Sequence, residues 1–211
     1  ADAKAKVVLE SAGAWRAFDE AGAPHDLEPG KLTLTPKLEI DTGVDEPLAL
    51  GASARFTGNP VLVNGKPYRG TIRVLVVKNK LRVVDVLGLE AYLKGVVPSE
   101  MPSNWSLEAL KAQAVAARSY ALANLAKGGD FDLYSDVRSQ VYGGLKAESL
   151  SSSAAIDATA GKVVLYAGKV ATTYFFSLGV SIVCFSLRSI GLPAPPMPRR
   201  LPTSISLTTR A

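Results

Sequence analysis

The sequence predicts an α+β fold in which antiparallel β-strands and hairpins pack around one buried central helix, with two further helices. Three observations predict it. Residues 5–63 form short segments broken by Gly, Pro and Asp, which is typical of strands joined by tight turns. An Asn-Gly pair at residues 64–65 predicts a β-hairpin. Residues 107–126 form one long helical segment whose apolar and alanine residues cover most of its surface, which indicates burial.

The composition is that of an ordinary globular protein, and it excludes several classes. The chain has 211 residues, of which 47% are hydrophobic and 20% are charged. Its single cysteine, Cys184, excludes an internal disulfide framework, and with the single histidine, His25, it argues against a Cys/His zinc site. No apolar run is long enough to predict a membrane-spanning helix.

The net charge of +5 belongs mainly to the C-terminal part of the sequence. The four arginines after residue 177 account for most of it, and no predicted helix or sheet face collects basic residues. A nucleic-acid-binding protein is expected to concentrate positive charge on a folded face. We therefore expect no nucleic-acid partner.

Strand predictions rest on alternation and on turn chemistry. Residues 31–35 alternate polar and apolar side chains, as a half-buried strand does. Asn64 and Gly65 tolerate the positive φ angles of a type I′ turn, and Pro67, which lacks a backbone donor, indicates an edge strand. The other predicted strands include residues 71–77, 81–86, 163–166 and 170–176.

Helices are predicted over residues 87–96, 107–126 and 148–160. Asp85 can cap the first helix, and we expect Pro98 to end it. Ser106 can cap the second, which the glycines at 128 and 129 should terminate.

The long helix carries two cations within its apolar arc. On a helical wheel the arc contains Leu107, Leu110, Ala114, Ala117, Ala121, Leu122 and Leu125. Lys111 and Arg118 fall inside it and, being two turns apart, point in the same direction. A buried cation needs a carboxylate or a hydrogen-bond network to receive it. Either Arg118 makes a structural ion pair while Lys111 reaches the solvent, or both line the floor of a ligand-binding cleft.

A glutamate lies between two prolines in the segment that joins the first two helices. Pro98 and Pro102 restrict the backbone on both sides of Glu100. A rigidly held carboxyl group with apolar neighbours is suited to general acid catalysis. The alternative is a solvent-facing capping residue.

Two segments of the sequence carry a specific family pattern. Residues 89–102 read LEAYLKGVVPSEMP, and residues 107–122 read LEALKAQAVAARSYAL. Shorter segments that also fit the pattern lie at residues 68–70, 140–144 and 168–177. Over about residues 45–177 the chain closely resembles the SpoIID/LytB family.

This resemblance implies a bacterial cell-wall protein. The sporulation branch of the family consists of lytic transglycosylases, which cleave peptidoglycan glycan strands between N-acetylmuramic acid and N-acetylglucosamine and leave a 1,6-anhydro end. The LytB branch enhances a wall amidase. We expect an extracytoplasmic lytic transglycosylase that binds glycan strands. The alternative is a non-catalytic wall-binding protein that stimulates a peptidoglycan amidase.

The resemblance also assigns roles to individual residues. The catalytic glutamate of the family falls on Glu100, and its helical arginine and lysine fall on Arg118 and Lys111. Such an enzyme can work with one carboxyl group, whereas most glycosidases need two. Gln113, within the same motif, is a further candidate for binding substrate. Tyr142 is another, because its ring can stack on a sugar, although it can equally pack in the core.

The sequence departs from the family in two places. Arg138 and Ser139 stand where some sporulation members have His and Cys associated with zinc, so we predict no metal and no cofactor. After Ser177 the family continues with Ser/Thr and a glycine pair, but this chain has no acidic residue and no lysine there. We interpret residues 178–211 as an out-of-frame product or a poorly ordered extension.

The predicted organisation therefore has three parts. A strand-rich segment covers residues 1–44, and a SpoIID/LytB-like domain covers residues 45–177. The tail follows at residues 178–211, which would leave the family domain incomplete at its C-terminal end.

Overall fold

A computed structural model of the protein describes residues 4–41, 43, 46–126, 128–178, 181–186 and 205–208. It contains helices and antiparallel sheets, which confirms the predicted α+β class. The chain forms two compact units, one of Ala1–Leu87 with Ser206–Ala211 and one of Gly88–Ile205. The predicted boundary between residues 44 and 45 lies outside the described residues and stays a prediction.

The elements are numbered in chain order. The strands are β1 (Val7–Ser11), β2 (Trp15–Phe18), β3 (Pro24–Leu27), β4 (Gly30–Leu34), β5 (Glu39–Ile40), β6 (Leu48–Ala49), β7 (Ser53–Thr57), β8 (Val61–Val63), β9 (Lys66–Tyr68), β10 (Thr71–Val77), β11 (Lys80–Leu87), β12 (Leu165–Tyr166), β13 (Lys169–Val170), β14 (Thr173–Leu178), β15 (Ser181–Ser186) and β16 (Ile205–Thr208). The helices are α1 (Leu89–Glu100), α2 (Leu107–Ala123) and α3 (Leu150–Ala158). A short 3₁₀ helix at Leu145–Ala147 precedes α3.

The first unit is built from two larger sheets and the small β5–β6 pair. One sheet has the order β4-β1-β8-β9, and the other has the order β16-β11-β10-β7-β2-β3. Alternate residues of the strands are buried, as Val7 and Leu9 are in β1 and as Ile72 and Val74 are in β10. The unit is therefore held together by the apolar faces of its sheets.

The turn predictions are confirmed in this unit. Asn64 and Gly65 have φ angles of 47° and 77° and join β8 to β9, as a type I′ turn requires. Strand β9, which contains Pro67, lies at the edge of its sheet. The predicted pair at residues 71–77 and 81–86 is β10 with β11.

The predicted limits of the first helix were wrong. Asp85 does not cap α1, because it is a fully buried residue of β11, and the helix begins after Gly88. Pro98 does not end the helix at residue 96, because α1 continues to Glu100. The N–H of Met101 donates to the carbonyl of Val97 at 3.1 Å, and this bond closes the last turn around the proline.

The other two helices are shorter than predicted. Ser106 caps α2 as expected, since its hydroxyl accepts from the Ala109 N–H at 3.3 Å. The helix ends at Ala123, before the glycines, because Asn124 caps it and its amide donates to the Tyr120 carbonyl at 2.7 Å. Helix α3 spans nine residues from Leu150, after the capping residue Ser149.

Helix α2 lies at the centre of the second unit, in contact with α1, α3 and β14. Its buried residues include polar ones as well as alanines, whereas Leu107, at the start of the predicted apolar arc, is 48% exposed. No helix in the described ranges has both the length and the apolar character that crossing a membrane requires.

The predicted tail lies mostly outside the described residues. Within it the structure describes β15, which pairs with β14, and β16, which lies beside β11. In β16, Ile205 and Leu207 are fully buried. The interpretation of the tail as an out-of-frame product stays a prediction.

Candidate functional site

Glu100 lies in a surface groove of the second unit. It is the last residue of α1, and it shares a cavity of about 260 Å³ with residues of α2, of the loop before α3 and of β14. We call this cavity the Glu100 groove. Its lining residues are Glu100, Tyr120, Val137, Ser139, Gln140, Val141, Thr173 and Tyr174. Three separate stretches of chain therefore form a concave site around one carboxyl group.

One backbone donor holds the Glu100 carboxylate. The N–H of Val141 donates to Oε1 at 2.9 Å. No side chain in the described ranges forms an ion pair with Glu100, and its Oε2 accepts no hydrogen bond from them. This carboxyl group is half-buried, oriented by the backbone and available to a ligand in the groove.

The loop that supplies the Val141 donor is anchored to both long helices. The buried carboxamide of Gln140 accepts from the Tyr92 hydroxyl at 3.0 Å and donates to the Ala117 carbonyl at 3.3 Å. The N–H of Gly143 donates to the Gly95 carbonyl of α1 at 3.0 Å. Because the loop is tied to α1 and α2, the Val141 N–H is held opposite the end of α1.

Tyr142 packs in the core, which is one of the two alternatives that the sequence left open. It is only 7% exposed, and its ring centroid lies 5.6 Å from that of Tyr92. A side chain at Gly95 would collide with this ring, so the glycine permits the close approach of helix and loop. Tyr142 does not line the Glu100 groove.

Arg118 is a fully buried structural cation. Its Nε and one terminal nitrogen donate to the two carboxylate oxygens of Glu90 at 2.9 and 2.6 Å. The remaining N–H groups donate to the carbonyls of Ala114, Ile156 and Lys162 at 3.0–3.5 Å. All donors of the guanidinium are thereby satisfied. The residue links α1, α2 and the end of α3, and it lies outside the groove lining.

Glu90 is the partner that the sequence reasoning did not name. It belongs to the first turn of α1, within the same family motif. The burial of a cation on α2 requires a carboxylate nearby. This requirement indicates that Arg118 has a carboxylate partner, but the sequence alone offers several carboxylates that could be that partner.

The other two predicted binding residues also lie outside the lining of the Glu100 groove. Lys111 pairs with Glu108 at 2.7 Å and lines a second pocket of about 670 Å³. Gln113 is 2% exposed, and its Nε2 has no hydrogen-bond partner among the described residues. Of the five predicted site residues, only Glu100 lines the groove.

Two tyrosines of the groove were missed. The rings of Tyr120 and Tyr174 meet edge to face, with centroids 5.9 Å apart at 76°. Burial, and then the neighbouring Tyr174 and Glu100, raise the pKa of Tyr120, so its hydroxyl stays protonated near neutral pH. Both residues stand in the family-like segments 107–122 and 168–177, which was the signal that could have indicated them.

Two further groups that could take part in chemistry, His25 and Arg138, each form a local pair with an aspartate. His25 lies 3.2 Å from Asp19, and Arg138 pairs with Asp136 at 2.6 Å. In the part of the chain that the structure describes, no group of three or more His, Cys, Asp or Glu side chains is arranged to hold a metal ion.

Comparison with known proteins supports the motif analysis. Residues 77–166 match the SpoIID family, described as stage II sporulation protein. This segment contains α1, α2 and the loop that binds Glu100. Over these residues the match agrees with the predicted resemblance to the SpoIID/LytB family.

Two relatives are 40% identical to the chain over the matched residues. One is an uncharacterized protein of Brachyspira hyodysenteriae, matched over 119 residues that cover 55% of this chain and 32% of the relative. The other is the amidase enhancer of Bacillus subtilis, matched over 123 residues that cover 57% of this chain and 17% of the relative. The matches thus span a third or less of the length of these relatives. No solved structure gives a significant match.

Proposed function

We propose that the protein is an extracytoplasmic peptidoglycan lytic transglycosylase in which Glu100 is the single acid and base. The observation that carries this proposal is a carboxyl group that has no ionic partner among the described residues and is held by a backbone N–H in a groove. The SpoIID match supports a role at the cell wall, and the family resemblance favours its glycan strand as the substrate.

The proposed reaction needs no second carboxylate. Protonated Glu100 donates its proton to the glycosidic oxygen, and the bond between C1 of N-acetylmuramic acid and that oxygen breaks. The C6 hydroxyl oxygen of the same sugar then forms a bond to C1, and its proton passes to the Glu100 carboxylate. A 1,6-anhydro ring results, no water is consumed and Glu100 is ready for another cycle.

The Val141 N–H orients the carboxyl group during both steps. By occupying Oε1, it leaves Oε2 to exchange the proton with the substrate. Holding the acid in one position relative to the sugar is itself a large part of the rate enhancement in such reactions.

A second candidate function is supported by the amidase enhancer of Bacillus subtilis. In that case the protein binds the cell wall and stimulates a peptidoglycan amidase without cleaving glycan. The groove would then serve in binding, and Glu100 would contact the glycan without transferring a proton.

The Glu100→Gln variant separates the two functions, because it preserves the shape of the side chain and removes the acid. We expect it to release anhydro-muropeptides from purified sacculi at least about 100-fold more slowly, as measured by mass spectrometry. Its free energy of unfolding should change by no more than about 0.5 kcal/mol. Glu108→Gln, at an exposed glutamate that pairs with Lys111, is the matched control and should keep full activity.

Two results would contradict the enzymatic proposal. One is the absence of anhydro products with the unaltered protein. The other is a Glu100→Gln variant that produces them at the normal rate. The second candidate would be supported if the unaltered protein gave no anhydro product and the Glu100→Gln variant still stimulated the amidase.

A further inference from the structure

Tyr174 presents an aromatic ring at the Glu100 groove. It lies in β14, lines the same cavity as Glu100 and is 44% exposed. A tyrosine that packs in a core is far less exposed, as Tyr142 is at 7%. The exposed fraction of Tyr174 is therefore surface that a ligand in the groove can cover.

Neighbouring groups hold this ring in place. Tyr120 of α2 meets it edge to face at 5.9 Å, an arrangement that aromatic pairs favour. The preceding residue, Thr173, donates its hydroxyl to the Ala116 carbonyl of α2 at 2.7 Å, and Thr173 is 3% exposed. The start of β14 is thus fastened to α2 beside the groove, so the ring is positioned before any ligand arrives.

We propose that Tyr174 is a sugar-stacking residue of the Glu100 groove, and that it receives the C–H face of an N-acetylhexosamine ring. Hexose rings carry axial C–H groups on their faces, and these pack against the electron-rich face of an aromatic ring. The choice of an N-acetylhexosamine rests on the proposed function. In this arrangement Tyr174 binds and orients the glycan, and Glu100 carries out the chemistry.

The chain offers a matched control. Tyr166 is 48% exposed, almost the same as Tyr174, but it lies in β12 and does not line the groove. A general effect of removing an exposed tyrosine should be the same at both positions. An effect on ligand binding should be confined to Tyr174.

The experiment measures the affinity of the full chain for tetra-N-acetylchitotetraose by calorimetry, in a Glu100→Gln background that prevents cleavage. Tyr174→Leu should weaken binding by about tenfold, whereas Tyr174→Phe, which keeps the aromatic face, should bind within about twofold of the parent. Tyr166→Leu should bind as the parent does. Unchanged affinity in Tyr174→Leu, equal losses in the Leu and Phe variants, or no saturable binding by the parent would overturn the proposal.

A second measurement leaves Tyr174 intact and so does not depend on the folding of a variant. Ring protons of Tyr174, followed by NMR, should shift when the tetrasaccharide is added, and those of Tyr166 should not. Shifts of equal size at both tyrosines, or none at Tyr174, would contradict the proposal.

The sacculus assay distinguishes a failure of this inference from a failure of the proposed function. Tetrasaccharide binding that depends on Tyr174, combined with no anhydro product from the unaltered protein, would leave the stacking residue in place and refute the transglycosylase. Normal release of anhydro product together with unchanged tetrasaccharide binding in Tyr174→Leu would refute the stacking residue alone.

Discussion

Helix α1 carries a glutamate in its first turn and another at its last residue, and the two have opposite surroundings. Glu90 accepts two hydrogen bonds from the fully buried guanidinium of Arg118, at 2.9 and 2.6 Å. Glu100 accepts one, from the backbone of Val141, and has no ionic partner among the described residues. The same residue type on the same helix is thus a structural anchor at one end and a candidate acid at the other.

The difference shows how neighbouring charge determines what a carboxyl group can do. A cation at hydrogen-bonding distance stabilises the ionised form of a carboxyl group and makes it a poor proton donor. A single backbone N–H orients the group without adding a full charge. The family motif contains both glutamates, and only their three-dimensional partners separate their roles.

The largest loss of stability is expected when the ion pair between Arg118 and Glu90 is broken. Arg118→Met leaves Glu90 without its ionic partner and the Lys162 carbonyl without the Arg118 donor, whereas the Ile156 carbonyl keeps its bonds from Thr159. Because the Glu90 side chain is 36% exposed, solvent offsets part of the loss, and we expect the free energy of unfolding in urea to fall by about 2–3 kcal/mol. The double variant Glu90→Leu with Arg118→Met removes both charges and should recover a large part of that loss. A single variant that is as stable as the parent would show that the pair does not anchor the helices.

The next largest effect is expected when the loop that holds Glu100 loses its anchor at Gln140. Gln140→Leu leaves the buried Tyr92 hydroxyl without its acceptor and removes the side-chain donor to the Ala117 carbonyl, at a cost of about 2 kcal/mol. It also loosens the loop that holds the Val141 N–H against Glu100. If the proposed reaction is correct, kcat on sacculi should fall more than KM rises. A change confined to KM would indicate that the loop acts in binding alone.

A smaller effect is expected for an ion pair that α1 makes at its surface. Lys94 pairs with Asp157 of α3 at 3.0 Å, and the Asp157 side chain is 59% exposed. Because solvent screens such a pair, Asp157→Asn should change the free energy of unfolding by less than about 1 kcal/mol. Thermal unfolding at low and high salt should show this difference disappearing in salt. A loss comparable to that of Arg118→Met would contradict the distinction between buried and exposed pairs.

The smallest effect concerns Asp19, a partly buried acid in the strand-rich unit. The Ala23 N–H at 2.8 Å, and then the His25 side chain, hold the pKa of Asp19 below its ordinary value of 3.8. A lowered pKa contributes stability that is present above pH 3.8 and is lost as the pH falls below it. Asp19→Asn should therefore lose slightly less stability than the parent on acidification through this range. Urea midpoints on either side of pH 3.8 measure it, and identical acid profiles would contradict the prediction.

Much of the fold could be predicted because it depends on local chemistry. The Asn64–Gly65 turn, the edge position of Pro67 and the cap at Ser106 were all correct. Each rests on the conformations and hydrogen bonds available to one or two residues. The ends of α1 and α2 were not predicted correctly. Proline and glycine usually end a helix, but α1 continues through Pro98, and α2 ends earlier, where Asn124 caps it.

The sequence by itself determined the α+β class, the resemblance to the SpoIID family over residues 77–166, the position of Glu100 beside a helix end and the need of Arg118 for a partner. Only the tertiary structure decided that this partner is Glu90, that Tyr142 is buried and that Tyr120 and Tyr174 line the groove. Periodicity tells which side of a helix a residue occupies, but not which distant segment lies opposite. The contacts of Glu100 with the loop before α3, and of α2 with β14, join residues far apart in the chain. The motif contains the residues, and the way the chain packs determines which of them are structural and which line the groove.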